Sequence, residues 1–312
     1  MSTKSLQSVR IGTRGSQLAL WQANQASELV RHVLPKVKIE IVPIETAGDL
    51  DQESTLTDLG GTGVFVKKIE KELLAKKIDI AVHSAKDIPA KDRKGLLIAA
   101  TPPRGVVNDV VVCREHLGFE DLPSGAVVGT SSPRRAAQLL RIRKDLKIKE
   151  IRGNLDTRLR KVDEGEYDAT ILAWVGMRRM GYAWRIDDVF PVHDMLPAPC
   201  QGIVALQVRA DHTELVEKLQ QASHAPTAAR LQAERSMLAT LNAGCHLAVA
   251  GLSRHYGAEG MYMIGRVLSA DGSVMLEADR TITADEDPAE LGRKVAHDLL
   301  DQGAAKLLKT GG

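Results

Sequence analysis

The sequence predicts an α/β protein made of two similar lobes followed by a smaller α+β domain. Three observations predict it. Short, β-branched strand candidates alternate with helix-like segments from Val9 to Ala100, and the alternation resumes from Val106 to Ala173 without recognisable repeat of sequence. Prolines mark two crossings between these runs, Pro102-Pro103 and then Pro191, Pro197 and Pro199. After about Pro226 the pattern changes to a helix, two or three strands and a terminal helix. Two crossings between two α/β lobes form a hinge with a cleft. The expected boundaries are 1–103 with 201–222 for lobe 1, 104–200 for lobe 2 and 223–312 for the C-terminal domain.

Element by element, Val9 to Thr13 reads as a strand and Arg14 falls in the turn that follows. Ser16 is placed to cap a helix whose apolar positions Leu18, Trp21, Leu29 and Val33 fall largely on one face. Val37, Ile39 and Ile41 then alternate with charged residues, the period of a half-buried strand. Ala47 to Gly63 is polar and glycine-containing and reads as a long mobile loop. Its Gly61-Thr62-Gly63 is not a phosphate loop, because no Gly-Lys-Ser/Thr follows. Phe65, Ile69 and Leu73 recur on a lysine-studded helix leading into the buried strand candidate of Ile78, Ile80, Ala81 and Val82. In the second run, Ala126 to Gly129 is a strand, Thr130-Ser131-Ser132 a capping cluster and Pro133 a first helical residue. A strand holding Ile148 and Ile151, a turn at Arg152-Gly153-Asn154, a helix with Leu155, Leu159 and Val162, and a strand from Ala169 complete it. Gly202 to Val208 reads as a strand returning to lobe 1.

Composition narrows the class. Apolar residues make up 44% and charged residues 26% of 312, the balance of an ordinary globular chain, and no apolar run is long enough to span a bilayer. The first ten residues lack the apolar stretch of a secretory signal, and Cys113, Cys200 and Cys245 are widely separated thiols. A cytoplasmic protein without disulfides or a metal centre is the expectation.

Chemistry-bearing residues cluster in three places. His83, Ser84, Lys86 and Asp87 follow a buried strand within five positions, and Pro89 stops a helix from continuing. In open α/β sheets ligands sit at strand ends, so the cluster is a candidate site, with Asp87 as a buried carboxylate able to trade protons. His83 reads either as a base or as a satisfied structural residue, and Lys86 as a modulator or an ion-pair partner. Between Arg134 and Lys161 there are eleven Lys or Arg against Asp145, Glu150 and Asp156. Most of these form a solvated face, but Arg134, Arg135, Arg152 and Arg158 lie near helix starts, where unpaired N–H groups already favour anions. Aromatic residues are only 3% of the chain and none interleaves with these arginines, which argues against nucleic acid. Cys245, after Gly244 and before His246, is either an exposed reactive thiol or a small buried apolar residue.

These residues together resemble the porphobilinogen deaminase (hydroxymethylbilane synthase) family. The motifs are Val82-His83-Ser84-Ala85-Lys86-Asp87-Ile88-Pro89, Gly129-Thr130-Ser131-Ser132-Pro133-Arg134-Arg135, Arg152-Gly153-Asn154 with Thr157-Arg158, and Gly244-Cys245. Gly12-Thr13-Arg14, Gly63-Val64-Phe65-Val66-Lys67, Gly165-Glu166-Tyr167-Asp168 and Ala233-Glu234-Arg235 extend the likeness over nearly the whole chain. The resemblance implies two periplasmic-binding-protein-like lobes around a cleft, with a third domain bearing a cysteine. It implies condensation of four porphobilinogen molecules into linear hydroxymethylbilane with release of ammonia. The chain would grow on a dipyrromethane cofactor joined by a thioether to Cys245. Asp87 would assist loss of the aminomethyl nitrogen, stabilise the cationic azafulvene and help remove the α-proton after coupling. Arg14, Ser16, Lys86, Ser132, Arg134, Arg135, Arg152, Arg158 and Arg179 would hold the acetate and propionate groups, with His83, Ser84 and Gln201 as support. No metal, nucleic acid or membrane is implied, and a monomer is.

The sequence departs from the family pattern at Asp58 and Thr62, where lysines are usual, at Arg104-Gly105-Val106-Val107-Asn108-Asp109, at Pro199-Cys200-Gln201-Gly202-Ile203 and at Asn242-Ala243-Gly244-Cys245-His246. Asp87 and Cys245 are retained, which favours an active enzyme. The other reading is a non-catalytic two-lobed binding protein for a small polycarboxylate.

Overall fold

A computed structural model describes residues 6–45, 64–244 and 246–310. The expected Ala47 to Gly63 loop and Cys245 lie outside the described residues. The chain forms two compact units, residues 1–104 with 202–228 and residues 105–201 with 229–312.

Unit 1 is built on a five-stranded sheet in the order β2-β1-β3-β10-β4. Strands β1 (Ser8–Thr13), β2 (Lys38–Pro43) and β3 (Ile80–Ser84) run parallel. Helices α1 (Gln17–Val33) and α2 (Val64–Leu74) occupy the connections, as βαβ units require. Strand β10 (Val204–Arg209), returning from the second crossing, inserts antiparallel between β3 and β4 (Leu96–Ala100). All six of its residues are buried, which explains its nearly unbroken apolar run. Ala23, Ala26 and Val30 of α1 and Leu215 and Leu219 of α6 (Thr213–Ala222) cover one face. Ile69 and Leu73 of α2 cover the other.

Unit 2 repeats the plan with a sheet ordered β7-β6-β8-β5-β9. Strands β6 (Val127–Gly129), β7 (Lys147–Lys149) and β8 (Ala169–Ala173) are parallel. Strand β5 (Asp109–Cys113), arriving from the first crossing, lies antiparallel between β8 and the short β9 (Asp188–Val189). In each sheet three parallel strands are followed by an antiparallel strand delivered by a crossing. That exchange is the topology of a two-lobed, periplasmic-binding-protein-like fold. Helices α3 (Pro133–Ile142), α4 (Leu155–Asp163) and α5 (Trp174–Arg179) cover the sheet. Ile151, expected within a strand, lies just beyond β7 and is fully buried beneath Val162 and Tyr167.

The C-terminal domain is a three-stranded antiparallel sheet, β11 (Val249–Tyr256), β12 (Gly260–Leu268) and β13 (Met275–Thr283), packed on α7 (Ala225–Thr240), α8 (Pro288–Asp301) and α9 (Ala304–Thr310). Arg266 of β12, 6% exposed, joins this domain to the rest of unit 2. Its Nη1 donates to Gln138 Oε1 of α3 at 2.8 Å, its Nη2 to the His193 carbonyl at 2.9 Å and its Nε to Glu277 at 2.8 Å. Buried Glu234 of α7 accepts from Ser253 N and Oγ, both at 2.8 Å, and from Cys200 N. Among the described residues no helix is long and apolar enough to cross a membrane.

Helix α8 approaches α7 so closely that a Cβ on Gly292 would lie 2.0 Å from the Ala233 carbonyl oxygen and 2.7 Å from Met237 N. Neither neighbour is the end of a flexible side chain, so the helices must separate. Gly292→Ala is expected to lower the unfolding free energy by about 1–3 kcal/mol, read as an earlier urea midpoint at unchanged slope.

Candidate active site

Parallel pairing of β1 with β3 brings their C-terminal ends side by side. After β1 the chain turns through Arg14 to Ser16, whose extended backbone (φ −67°, ψ 148°) and Oγ, accepting from Ala19 N at 3.4 Å, start α1. Such a cap contributes about 1 kcal/mol and fixes the direction of the turn. After β3 the chain makes one 3₁₀ turn, Ala85–Asp87, and leaves it at Ile88 in extended conformation (φ −81°, ψ 133°), as Pro89 requires. The Ala85 N–H donates to the Ile203 carbonyl at 2.9 Å, which ties the turn to the segment preceding β10.

The two turns enclose one pocket within unit 1. Arg14, Ser16, His83, Ser84, Lys86 and Asp87 form its polar wall, with Leu18, Val66 and Val82 among its apolar lining. Asp87 is exposed, not buried as expected, because it ends the turn on the open side while Ala85 takes the inward position. Gln22, not among the expected site residues, is 3% exposed, and its Nε2 donates to Ser84 Oγ at 2.8 Å from the buried face of α1. A glutamine on the same stripe as Ala19, Ala23, Ala26 and Val30 was the available signal.

His83 is 6% exposed. Burial pushes its imidazole down to about 4, the Gln207 side chain opposing the shift only in part. The ring is therefore neutral under ordinary conditions.

In unit 2 the ends of β6, β7 and β8 carry the other expected residues. Ser132 caps α3 through Arg135 N at 3.5 Å, and Pro133 is its first residue. Arg134 and Arg135 do not project from this helix start. They are 4% and 7% exposed and turn inward to Asp109, which is fully buried at the start of β5. Arg134 Nη2 and Arg135 Nη2 donate to its two oxygens, each at 2.7 Å. Their Nη1 atoms donate to the Leu196 and Ile171 carbonyls, each at 2.8 Å. Gln201 Nε2 adds a bond to Asp109 at 2.9 Å and one to the Val107 carbonyl at 2.7 Å. Burial alone would raise the Asp109 carboxyl, but the two guanidinium groups and these hydrogen bonds outweigh it and hold the group far below the usual range. Two cations against one carboxylate leave one net positive charge at the start of α3.

Arg152, beyond β7, has its Nε 3.8 Å from Glu150, while its Nη1 is enclosed and has no hydrogen-bond partner among the described residues. Arg158 lies in the first turn of α4, which Asn154 caps through Thr157 N at 3.0 Å, and its Nε donates to the Gly153 carbonyl at 2.9 Å. Arg179 ends α5, and burial lowers it to about 10, so it remains a cation. Among the described residues no group of three or more His, Cys, Asp or Glu is placed to hold a metal ion.

Fold and site define a two-lobed α/β protein in which strand ends of unit 1 carry an exposed carboxylate with a lysine and an arginine, and those of unit 2 carry a series of arginines. The chain belongs to the porphobilinogen deaminase family. The family model "porphobilinogen deaminase, dipyromethane cofactor binding domain" matches residues 9–217, and "porphobilinogen deaminase, C-terminal domain" matches residues 228–301. A porphobilinogen deaminase of Syntrophomonas wolfei is 41% identical over 303 residues, covering 97% of this chain and 98% of that one. Another, of Desulforudis audaxviator, is 43% identical over 300 residues, 96% of each. Among solved structures, the periplasmic VFT2 domain of Bordetella pertussis BvgS aligns with a TM-score of 0.43 at 16% identity, over 73% of this chain and 92% of that one. An ancestral arginine-binding protein bound to arginine aligns with a TM-score of 0.39 at 17% identity, over 70% and 91%.

The depressed His83 pKa has a definite sign. Its unfolded value near 6.5 exceeds the folded value of about 4, so the unfolded chain binds the extra proton between them. This group's contribution is fully present above about pH 6.5 and is lost as pH falls towards about 4. Urea midpoints of wild type and His83→Gln, compared at about pH 7 and about pH 4.5, are expected to show a steeper acid loss in the wild type.

Proposed function

We propose that the chain is a transferase, a hydroxymethylbilane synthase, that condenses four porphobilinogen molecules into linear hydroxymethylbilane and releases ammonia at each addition. The observation that carries the reading is the pocket in which the exposed Asp87 carboxylate stands beside Arg14 and Lys86. An aminomethyl pyrrole losing ammonia develops positive charge, and a carboxylate fixed nearby stabilises that charge as it appears. Asp87 takes this role and exchanges a proton at the same carboxylate. Arg14 and Lys86 attract the substrate's acetate and propionate groups and orient the ring.

A dipyrromethane joined by a thioether to Cys245 supplies the pyrrole carbon to which substrate is added. The residues present fit such a group. Arg152 carries an enclosed donor with no protein acceptor among the described residues, and α3 begins with a surplus positive charge and the Ser132 hydroxyl. Arg152, Arg158, Arg179 and Ser132 bind its carboxylates directly. Arg134 and Arg135 act through their field and by fixing the helix start, with Gln201 holding Asp109 between them. His83 and Ser84 shape the Asp87 turn.

The reading further includes division into residues 1–103 with 201–222, 104–200 and 223–312. It also includes a cytoplasmic monomer whose partner is the small molecule rather than nucleic acid or membrane. Three separated thiols and the scarcity of aromatic residues support those points.

Two experiments test it. Intact protein from cells supplied with porphobilinogen is expected to exceed the polypeptide mass by one dipyrromethane, and Cys245→Ser to lose the excess. The bare mass in wild type would point to a non-catalytic polycarboxylate-binding protein instead. Asp87→Asn is expected to fold normally and to cut ammonia release by about 100-fold or more, as loss of a positioned acid–base group does. Near-normal release would remove Asp87 from the chemistry.

A further inference from the structure

His83 lies between the pocket and a polar chain running into the interior of unit 1. On the antiparallel pair β3 and β10, His83 stands opposite Ala205 and Gln207 opposite Ala81. The two side chains are therefore diagonal neighbours on one face, within reach of long side chains. That face is the one covered by α2, which brings Glu70 against the pair. Gln207 is fully buried, and its Nε2 donates to Glu70 Oε1 at 3.0 Å. Glu70 is 5% exposed, with Arg93 Nη1 3.8 Å from its other oxygen.

A carboxylate only accepts hydrogen bonds, so the Gln207 amide must turn its NH₂ towards Glu70. Its Oε1 is then left for the imidazole. Gln207 Oε1 and His83 Nε2 are both enclosed and neither has a hydrogen-bond partner among the described residues, which leaves each as the other's available partner. An amide oxygen facing a ring nitrogen requires that nitrogen to carry the proton, which makes Nε2 the donor. The lone pair is then on Nδ1, the nitrogen left for the pocket that His83 lines. Charged groups around the ring are Lys86 and Asp87 on its own segment, Arg14 across the pocket, and Glu70 with Arg93 behind Gln207. The cations suit carboxylates. Nδ1 and Asp87 are acceptors, and suit an N–H.

We propose that a Glu70–Gln207 relay holds His83 in the Nε2–H tautomer, and that Nδ1 thereby accepts a hydrogen bond from a pyrrole N–H of the bound substrate chain. Glu70 and Gln207 are positioning residues acting through His83. The identity of the donor rests on the function proposed above; the tautomer does not. Burial keeps the ring neutral, so the acceptor persists through the working pH range.

The test is long-range ¹H–¹⁵N correlation of histidine-labelled holoprotein, with the His83 signals assigned by their loss in His83→Gln. A pyridine-like Nδ1 and a pyrrole-like Nε2 at neutral pH are expected. A pyrrole-like Nδ1, or two pyrrole-like nitrogens, overturns the relay. Added porphobilinogen is expected to move the Nδ1 resonance towards the hydrogen-bonded range, and an unmoved resonance overturns the acceptor role. Glu70→Gln keeps the side-chain shape but frees the Gln207 amide to turn. A second tautomer is then expected, with kcat/KM for porphobilinogen about five- to tenfold lower, the worth of one hydrogen bond. Unchanged kcat/KM with a shifted tautomer overturns the functional half. If the wild type shows the expected tautomer yet releases no ammonia, the enzymatic reading and its pyrrole donor fall, while the relay stands.

Discussion

Each α/β lobe depends on one antiparallel strand that reaches it from a crossing. In unit 1 this is β10, whose six residues are all buried between β3 and β4. Without it β3 would be an edge with unpaired backbone groups and the Ala85–Asp87 turn would lose its tie to the Ile203 carbonyl. The strand also delivers Gln207 to the back of the pocket. In unit 2 the corresponding strand is β5, and its first residue is Asp109. The segments that complete the sheets therefore also carry the groups that organise the sites at the strand ends.

The charges of the protein divide by environment. Exposed pairs such as Arg160 with Glu164 are screened by solvent and leave the fold nearly indifferent to their loss. The buried Asp109 carboxylate is of another kind. Removing it would strand two guanidinium groups, 4% and 7% exposed, at a cost of about 3–5 kcal/mol. That interior pairing sets the start of α3, so the loop of Thr130, Ser131 and Ser132 is held from below before any ligand arrives. Unit 1 uses neutral groups for the same purpose. Gln22 steadies Ser84 from one face of the sheet and Gln207 faces His83 on the other.

Much of this was legible along the chain because the signals were local. Ser16 and Ser132 announce helix starts through the competition of their hydroxyls for backbone N–H groups, and Pro133 and Pro89 act through a fixed φ. The apolar run of β3 and the abrupt polarity after it placed the Asp87 turn. Helices α5, α6 and α9 and strand β9 were not among the expected elements. The apolar positions Leu215 and Leu219 of α6 are sparse, and two-residue β9 is defined only by its partner β5. Asp109 appeared in the sequence only as part of a departure from a motif, since nothing local distinguishes a buried aspartate from a surface one.

The chain by itself determined the order of elements, the helix caps, the family and the types of residue at each strand end, because each follows from spacing, backbone propensity or motif. Only the tertiary structure decided which cations face inward. Arg134 and Arg135 read like surface ligands of an anion, and become internal partners of Asp109 because β5 crosses beneath the start of α3. It also decided that Asp87 is open to the pocket while His83, four residues earlier, is enclosed. Burial and partner choice depend on segments far apart in sequence, and the side chains opposite one another across β3 and β10 are set by sheet register, which no local pattern encodes.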